Sequence, residues 1–180
     1  MKIFLIGFMG SGKTHWGRLL SAKLKLPFSD LDTVIVEREG KTVAELFSEK
    51  GEEYFRYQEK EVLEEIIGLE ESFILSCGGG TPCFFNNIEL MKKSGKVVWL
   101  NTTIDVLQAR LLKEKISRPL IRDIGDEELR RYIARKLSER KMYYEQADVM
   151  VNEESVTLEE LTLLLFEETR ERDRMREDDL

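Results

Sequence analysis

Cysteine is scarce in this chain, with Cys77 and Cys83 the only two. Two thiols build no disulfide framework, and neither has the His or Cys neighbours of a zinc site. Histidine occurs once, at His15. Long hydrophobic runs are missing: none approaches the ~20 apolar residues that span a bilayer. Met1 stands almost directly before the first apolar run, so no signal or transit peptide is expected and a cytoplasmic location follows. Positive charge is in deficit, 28 Lys and Arg against 35 Asp and Glu, for a formal net charge of −7. That balance argues against a nucleic-acid footprint. No Pro/Gly/Ser-rich linker and no internal repeat divides the chain, and its 180 residues suffice for one domain with a sizeable core.

Residues 7–14 read Gly-Phe-Met-Gly-Ser-Gly-Lys-Thr, a complete G-x-x-x-x-G-K-[ST] phosphate-binding loop. It follows the apolar run Lys2–Ile6 and precedes a helical pattern over Thr14–Leu26. A strand, a glycine turn and a helix N-terminus form an anion site, because backbone N–H groups converge there and the helix dipole favours negative charge. Gly7, Gly10 and Gly12 permit the turn. Lys13 can reach the outer phosphates of a nucleoside triphosphate, and the Thr14 hydroxyl can ligate Mg²⁺.

Ile3–Ile6, Phe73–Leu75, Val97–Leu100 and Val149–Val151 read as strands, with a short one near Pro27–Ser29. Their compact β-branched and aromatic runs fit strands buried on both faces of a parallel sheet. Helices are expected over Thr14–Leu26, Thr33–Glu39, Val43–Lys50, Tyr54–Ile67, Asn87–Lys93, Ile104–Leu112, Asp126–Gln146 and Leu158–Thr169. The alternation predicts an α/β fold with crossover connections. Residues 170–180, RERDRMREDDL, have no apolar face and are expected to form a frayed, solvated tail.

Further residues carry chemistry. Asp30 and Asp32 follow the second strand, and strand alternation would send both carboxylates to one side at the sheet edge where ligands bind. One can hold Mg²⁺ through water, and the other can accept the proton of an attacking hydroxyl. Asp32 also fits the N-cap of the next helix. Arg56, early in a helix opened by Gly51, is either a carboxylate-binding guanidinium or a surface salt bridge. Gly78, Gly79 and Gly80 are entropically costly in succession, and their purpose is close approach of another group to the backbone. The basic stretch 113–120 contains Arg118 before Pro119 and suits a lid over phosphates. Arg140 reads as ordinary helix surface. His15 is expected to pack against its helix, Trp16 to face the core or sheet, and Cys77 to be a small buried residue.

Taken in order, GFMGSGKT, Asp30-Leu31-Asp32, GEEYFR ending at Arg56, glycines 78–80, RPLI at 118–121, and Arg140 with Tyr144 and Ala147 resemble the shikimate kinase family from the first strand to about Val151. The resemblance implies a three-layer α/β/α P-loop fold with a five-stranded parallel sheet in the order 2-3-1-4-5. It implies a domain over 1–169, a mobile lid at about 113–124 and a shikimate-binding helical region at about 32–60. It also implies transfer of the γ-phosphoryl of MgATP to the 3-hydroxyl of shikimate by a monomer. On that basis Lys13, Asp32 and Arg118 are catalytic. Gly10, Ser11, Gly12, Lys13, Thr14, His15, Arg110 and Arg118 contact the nucleotide. Asp32, Arg56, Gly78, Gly79, Gly80 and Arg140 bind shikimate, and Thr14 and Asp30 hold Mg²⁺. The family often has Ser-Thr after the lysine, where this chain has Thr14-His15, and residues near Asn152–Ser155 are candidates to close the far side of the adenine site. Two other readings share the loop: a kinase of another small hydroxy acid such as gluconate, and a nucleotide-dependent switch with no small-molecule acceptor. The first would not call for the triple glycine with two spaced arginines. A guanine-reading switch would need an N-K-x-D motif, which the sequence lacks.

Overall fold

The computed structural model describes residues 1–115 and 121–166. Five strands, β1 (Lys2–Ile6), β2 (Phe28–Asp30), β3 (Phe73–Ser76), β4 (Lys96–Asn101) and β5 (Val149–Asn152), form one sheet. Their order is β2-β3-β1-β4-β5, and every neighbouring pair is parallel. The order predicted from the resemblance is therefore the observed one. Because successive strand side chains point to opposite faces, β1 feeds two cores. Phe4 and Ile6 join one cluster and Ile3 and Leu5 the other, and all four are fully buried.

Helices cover both faces. Helix α1 (Lys13–Leu24) puts Trp16 and Leu20 into the cluster of Ile3 and Leu5, and a helix over residues 158–166 adds Leu161 and Leu165. On the other face lie α2 (Leu31–Glu39), α3 (Val43–Leu69), α4 (Asn87–Ser94) and the end of α6 (Asp126–Tyr144). Helix α5 (Ile104–Glu114) and α6 share a smaller cluster with Phe8 and Ile121.

Two helices near the site differ from the expectations. Helix α2 starts at Leu31, and its N-cap is Asp30, whose Oδ1 accepts from the Asp32 N–H at 3.1 Å. Asp32 thus lies inside the first turn, so the helix start rather than strand alternation brings the two carboxylates together. Helix α3 spans both helices expected on either side of Gly51, which interrupts it at φ 84°, ψ 168°. A capping box at Thr42 and Glu45 sets its start. Trp16 and Cys77 are buried as expected, whereas His15 is exposed, because its position on α1 faces away from the sheet. The expected tail at 170–180 and the end of the last helix lie outside the described residues.

Candidate active site

The carboxyl ends of β1, β2 and β3 open onto a cavity of about 400 Å³. One wall is the phosphate-binding loop, with Gly10, Gly12, Lys13, Thr14 and His15. Asp30 and Asp32 form a second wall, and the end of β3 with Gly78 and Gly79 a third. Arg110 and Glu153 close the far side. The fold thus gathers most of the sequence-predicted residues into one depression. Gly10 and Gly12 hold φ values of 82° and 85°, the left-handed region the loop needs. Ser11 is fully buried beneath the loop, and its N–H donates to Phe8 O at 3.1 Å, so the residue shapes the loop from within. Lys13 Nζ donates to the carbonyls of Gly7 and Phe8, each at 2.9 Å, which holds its cation at the loop.

Thr14 Oγ1 donates to Asp30 Oδ2 at 3.3 Å. This hydroxyl and carboxylate form a small group of hard oxygen donors on the cavity wall. Asp32 Oδ1 is buried without a hydrogen-bond partner. Burial pushes the Asp32 carboxyl up to about 7, and Glu59 and Asp30 add to the rise, while Lys13 and Arg56 oppose it. An orphaned, proton-hungry carboxylate facing a cavity is suited to take a proton from an incoming hydroxyl.

Arg56, Gly80 and Arg140 do not line this cavity but stand against the triple glycine. The expected close approach at that segment is made by the protein's own charges. A Cβ on Gly78 would stand 2.6 Å from Glu59 Oε1, one on Gly79 2.9 Å from Arg140 Nη1, and one on Gly80 2.6 Å from Arg56 Cζ. Tyr144 is fully buried and its hydroxyl donates to Gly79 O at 2.6 Å. Arg140, which reads as surface from its neighbours in sequence but as a shikimate contact from the resemblance, is half-buried with its guanidinium 5.5 Å from the Phe8 ring centroid. Arg56 is buried at 7 % exposure, which excludes a surface salt bridge. It donates to Glu59 Oε2 at 2.6 Å and to Glu52 Oε1 from Nε and Nη2 at 3.1 and 2.9 Å. Since the guanidinium is held on both sides, we expect Gly80→Ala to lower stability by about 1–3 kcal/mol through overpacking. Urea unfolding measures this, and an unchanged midpoint would show that the segment yields.

Two residues of the site were not singled out from sequence. Glu59 is fully buried and accepts from both Arg56 and Thr81. Burial pushes its carboxyl up, and Arg56 and Thr81 act against that. Its i, i+3 spacing from Arg56 was the available signal. Glu153 lies in the turn after β5, within the stretch considered for the adenine side. Its Oε1 accepts from Trp16 Nε1 at 3.2 Å, and its Oε2 lies 2.9 Å from Arg110 Nη1. Arg110 also donates to Gly10 O at 3.0 Å, tying α5 to the loop. Arg118 lies outside the described residues. The flanks of its segment are anchored, Lys115 to Asp126 at 2.8 Å and Ile121 buried against Phe8, Leu107 and Leu129.

The sequence matches the family model described as Shikimate kinase over residues 9–169. The chain belongs to the shikimate kinase family. Among curated shikimate kinases, that of Azobacteroides pseudotrichonymphae genomovar. CFP2 is 43% identical over 160 residues, covering 89% of this chain and 94% of the relative. The 1.7 Å crystal structure of shikimate kinase from Bacteroides thetaiotaomicron superposes with a TM-score of 0.83 at 40% identity, covering 98% of each chain. Shikimate kinase from Acinetobacter baumannii in complex with shikimate superposes at 0.81 with 30% identity, over 95% of this chain and 93% of that one.

Proposed function

We infer that this protein is a shikimate kinase, an ATP-dependent enzyme that phosphorylates the 3-hydroxyl of shikimate. The observation that carries the reading is the juxtaposition, around one sheet edge, of a complete phosphate-binding loop with an orphaned carboxylate and, behind three glycines, two arginines. A phosphate site next to a hydroxyl acceptor and a carboxylate-binding cation matches an acceptor that is a hydroxylated acid.

We assign the roles as follows. The loop amides and Lys13 hold the phosphates of ATP, with Lys13 neutralising charge that develops on the γ-phosphoryl group. Arg56 and Arg140 bind the carboxylate of shikimate; Gly78, Gly79 and Gly80 let these charged side chains lie against the backbone and contribute backbone groups to the acceptor site. Asp32 orients the 3-hydroxyl and accepts its proton as the hydroxyl oxygen bonds to the γ-phosphorus and the bond from that phosphorus to the β–γ bridging oxygen breaks, releasing ADP. Positioning and charge stabilisation do most of this work. Thr14 and Asp30 suit Mg²⁺, which takes few protein oxygens and shares its shell with phosphates and water. When bound, the ion supplies charge neutralisation on the phosphate oxygens. Arg110, His15 and the turn at Glu153 are assigned to the rest of the nucleotide, because they line the same cavity as the phosphate-binding loop. Arg118 is assigned to a lid at about 113–124, whose described flanks are pinned as given above. The domain over 1–169, the monomeric state and the cytoplasmic location come from the sequence reading. No helix among the described residues is long and apolar enough to cross a membrane.

The test is ADP release from MgATP with shikimate, with gluconate and with no acceptor. Release that depends on shikimate and not on gluconate is the expected result. Nucleotide binding without shikimate-dependent release would overturn the assignment.

A further inference from the structure

Beyond these assignments, and resting on the reading of Arg56 as a carboxylate contact, we propose that Phe84 is a positioning residue for Arg56 and so sets how tightly the acceptor acid is held. The Arg56 guanidinium carbon lies 5.7 Å from the ring centroids of both Phe47 and Phe55, and 4.8 Å from that of Phe84. Phe47 and Phe55 belong to the same helix as Arg56. Phe84 comes from elsewhere, just past a 3₁₀ turn at Thr81–Cys83 that continues from the triple glycine. The same turn reaches Arg56 by a second route, since Thr81 donates to Glu59 and Glu59 accepts from Arg56.

Phe84 is 38 % exposed, so apolar burial alone does not account for a phenylalanine here, and the guanidinium is its close cationic partner. The backbone just after it is strained. Phe85 and Asn86 have φ values of 50° and 59°, two successive non-glycine residues in the left-handed region. Asparagine tolerates that region, whereas a phenylalanine there is unusual. Such strain persists only where surrounding contacts over-determine it. Asn87 N–H donates to Phe84 O at 2.9 Å, Asn87 Nδ2 donates to Thr81 O at 3.0 Å, and the Phe85 ring meets Tyr57 edge-on at 6.3 Å. These contacts hold the turn that turns the Phe84 ring onto Arg56.

A guanidinium recognises a carboxylate through a planar fork, so its orientation matters as much as its charge. The carboxylates of Glu52 and Glu59 fix its edges in part, and the Phe84 face fixes the tilt of its plane. Cation–π contact is strongest for a desolvated cation, which Arg56 is.

The experiment is steady-state kinetics of the full chain with MgATP and shikimate. Phe84→Leu, which keeps apolar bulk but loses the ring face, is expected to raise KM for shikimate about tenfold while kcat and KM for ATP stay within about twofold. Phe84→Tyr, which keeps the ring, is expected to hold KM for shikimate within about twofold. Should Phe84→Leu fail to fold, as judged by thermal unfolding, Phe84→Met carries the same expectation. Equal KM in Phe84→Leu and the parent overturns the proposal, as does an equal rise in Phe84→Leu and Phe84→Tyr or a parallel rise in KM for ATP. Arg56→Lys separates the two levels. An unchanged KM for shikimate in Arg56→Lys removes the carboxylate reading itself. A large rise there with a parent-like Phe84→Leu removes only the role of Phe84.

Discussion

Asp32→Asn is expected to lower kcat by about 10²–10⁴-fold and, in the nucleotide-free protein, to raise stability above neutral pH. Both effects have one cause. Asp32 is recessed with an unpartnered oxygen, and burial first, then Glu59 and Asp30, pushes its carboxyl from 3.8 to about 7. A carboxyl whose folded value is raised binds its proton more tightly folded than unfolded. The stability this contributes is full below about pH 4 and is lost as pH rises through about 7. The difference corresponds to at most on the order of 4 kcal/mol. Asparagine keeps the shape without the charge, so the variant should unfold at a higher temperature at pH 8 and near the parent's at pH 4. The readouts are shikimate-dependent turnover and thermal unfolding at both pH values without nucleotide. A variant that is fully active, or no more stable than the parent at pH 8, would remove Asp32 from the role of proton acceptor.

Lys13→Ala is expected to reduce kcat by about 10²–10³-fold or more while leaving KM for shikimate close to the parent value. The ammonium is held at the loop by the carbonyls of Gly7 and Phe8, and in the proposed reaction it neutralises charge that grows on the transferred group. On the proposed roles, removing it deletes an interaction that strengthens in the transition state, whereas Arg56 and Arg140, which stand against the glycine segment, would still hold the acceptor's carboxylate. Initial-rate kinetics over both substrates tests the division. A comparable loss in shikimate affinity would show that the loop and the acceptor site are coupled.

Much of this molecule was legible in the residues. The loop at 7–14 combines a rigid spacing with a strand before it and a helix after it, all local. The strands appeared as short runs buried on both faces, and each was found within a residue or two of its expected limits. Gly51 was legible as a helix start but not as a kink, because whether two helices merge depends on what each packs against. Asp30 and Asp32 were expected together for the wrong reason. Strand pleating cannot be extrapolated past a residue that caps a helix, and Asp30 does so.

The charged residues around the glycines were the least legible. Arg140 has the neighbours of a surface residue in sequence, and Glu59 is one acid among several on a long helix. Their distinction is that α6 and α3 deliver them to the same backbone segment from different parts of the chain. His15 shows the converse: its residue context suggested packing and the resemblance a nucleotide contact, and it lines the cavity because α1 turns its other side to the sheet.

What the sequence determined by itself was the local chemistry: a phosphate cradle, a three-residue stretch without side chains and the alternation that makes a parallel sheet. These depend on backbone freedom and hydrophobic period, which neighbours along the chain control. Only the tertiary structure decided which charges meet at the glycines, that Asp32 is left with a raised affinity for its proton, and that Phe84 lies on Arg56. Those outcomes depend on desolvation and on distances between segments far apart in sequence, and neither exists until the sheet and its helices have packed.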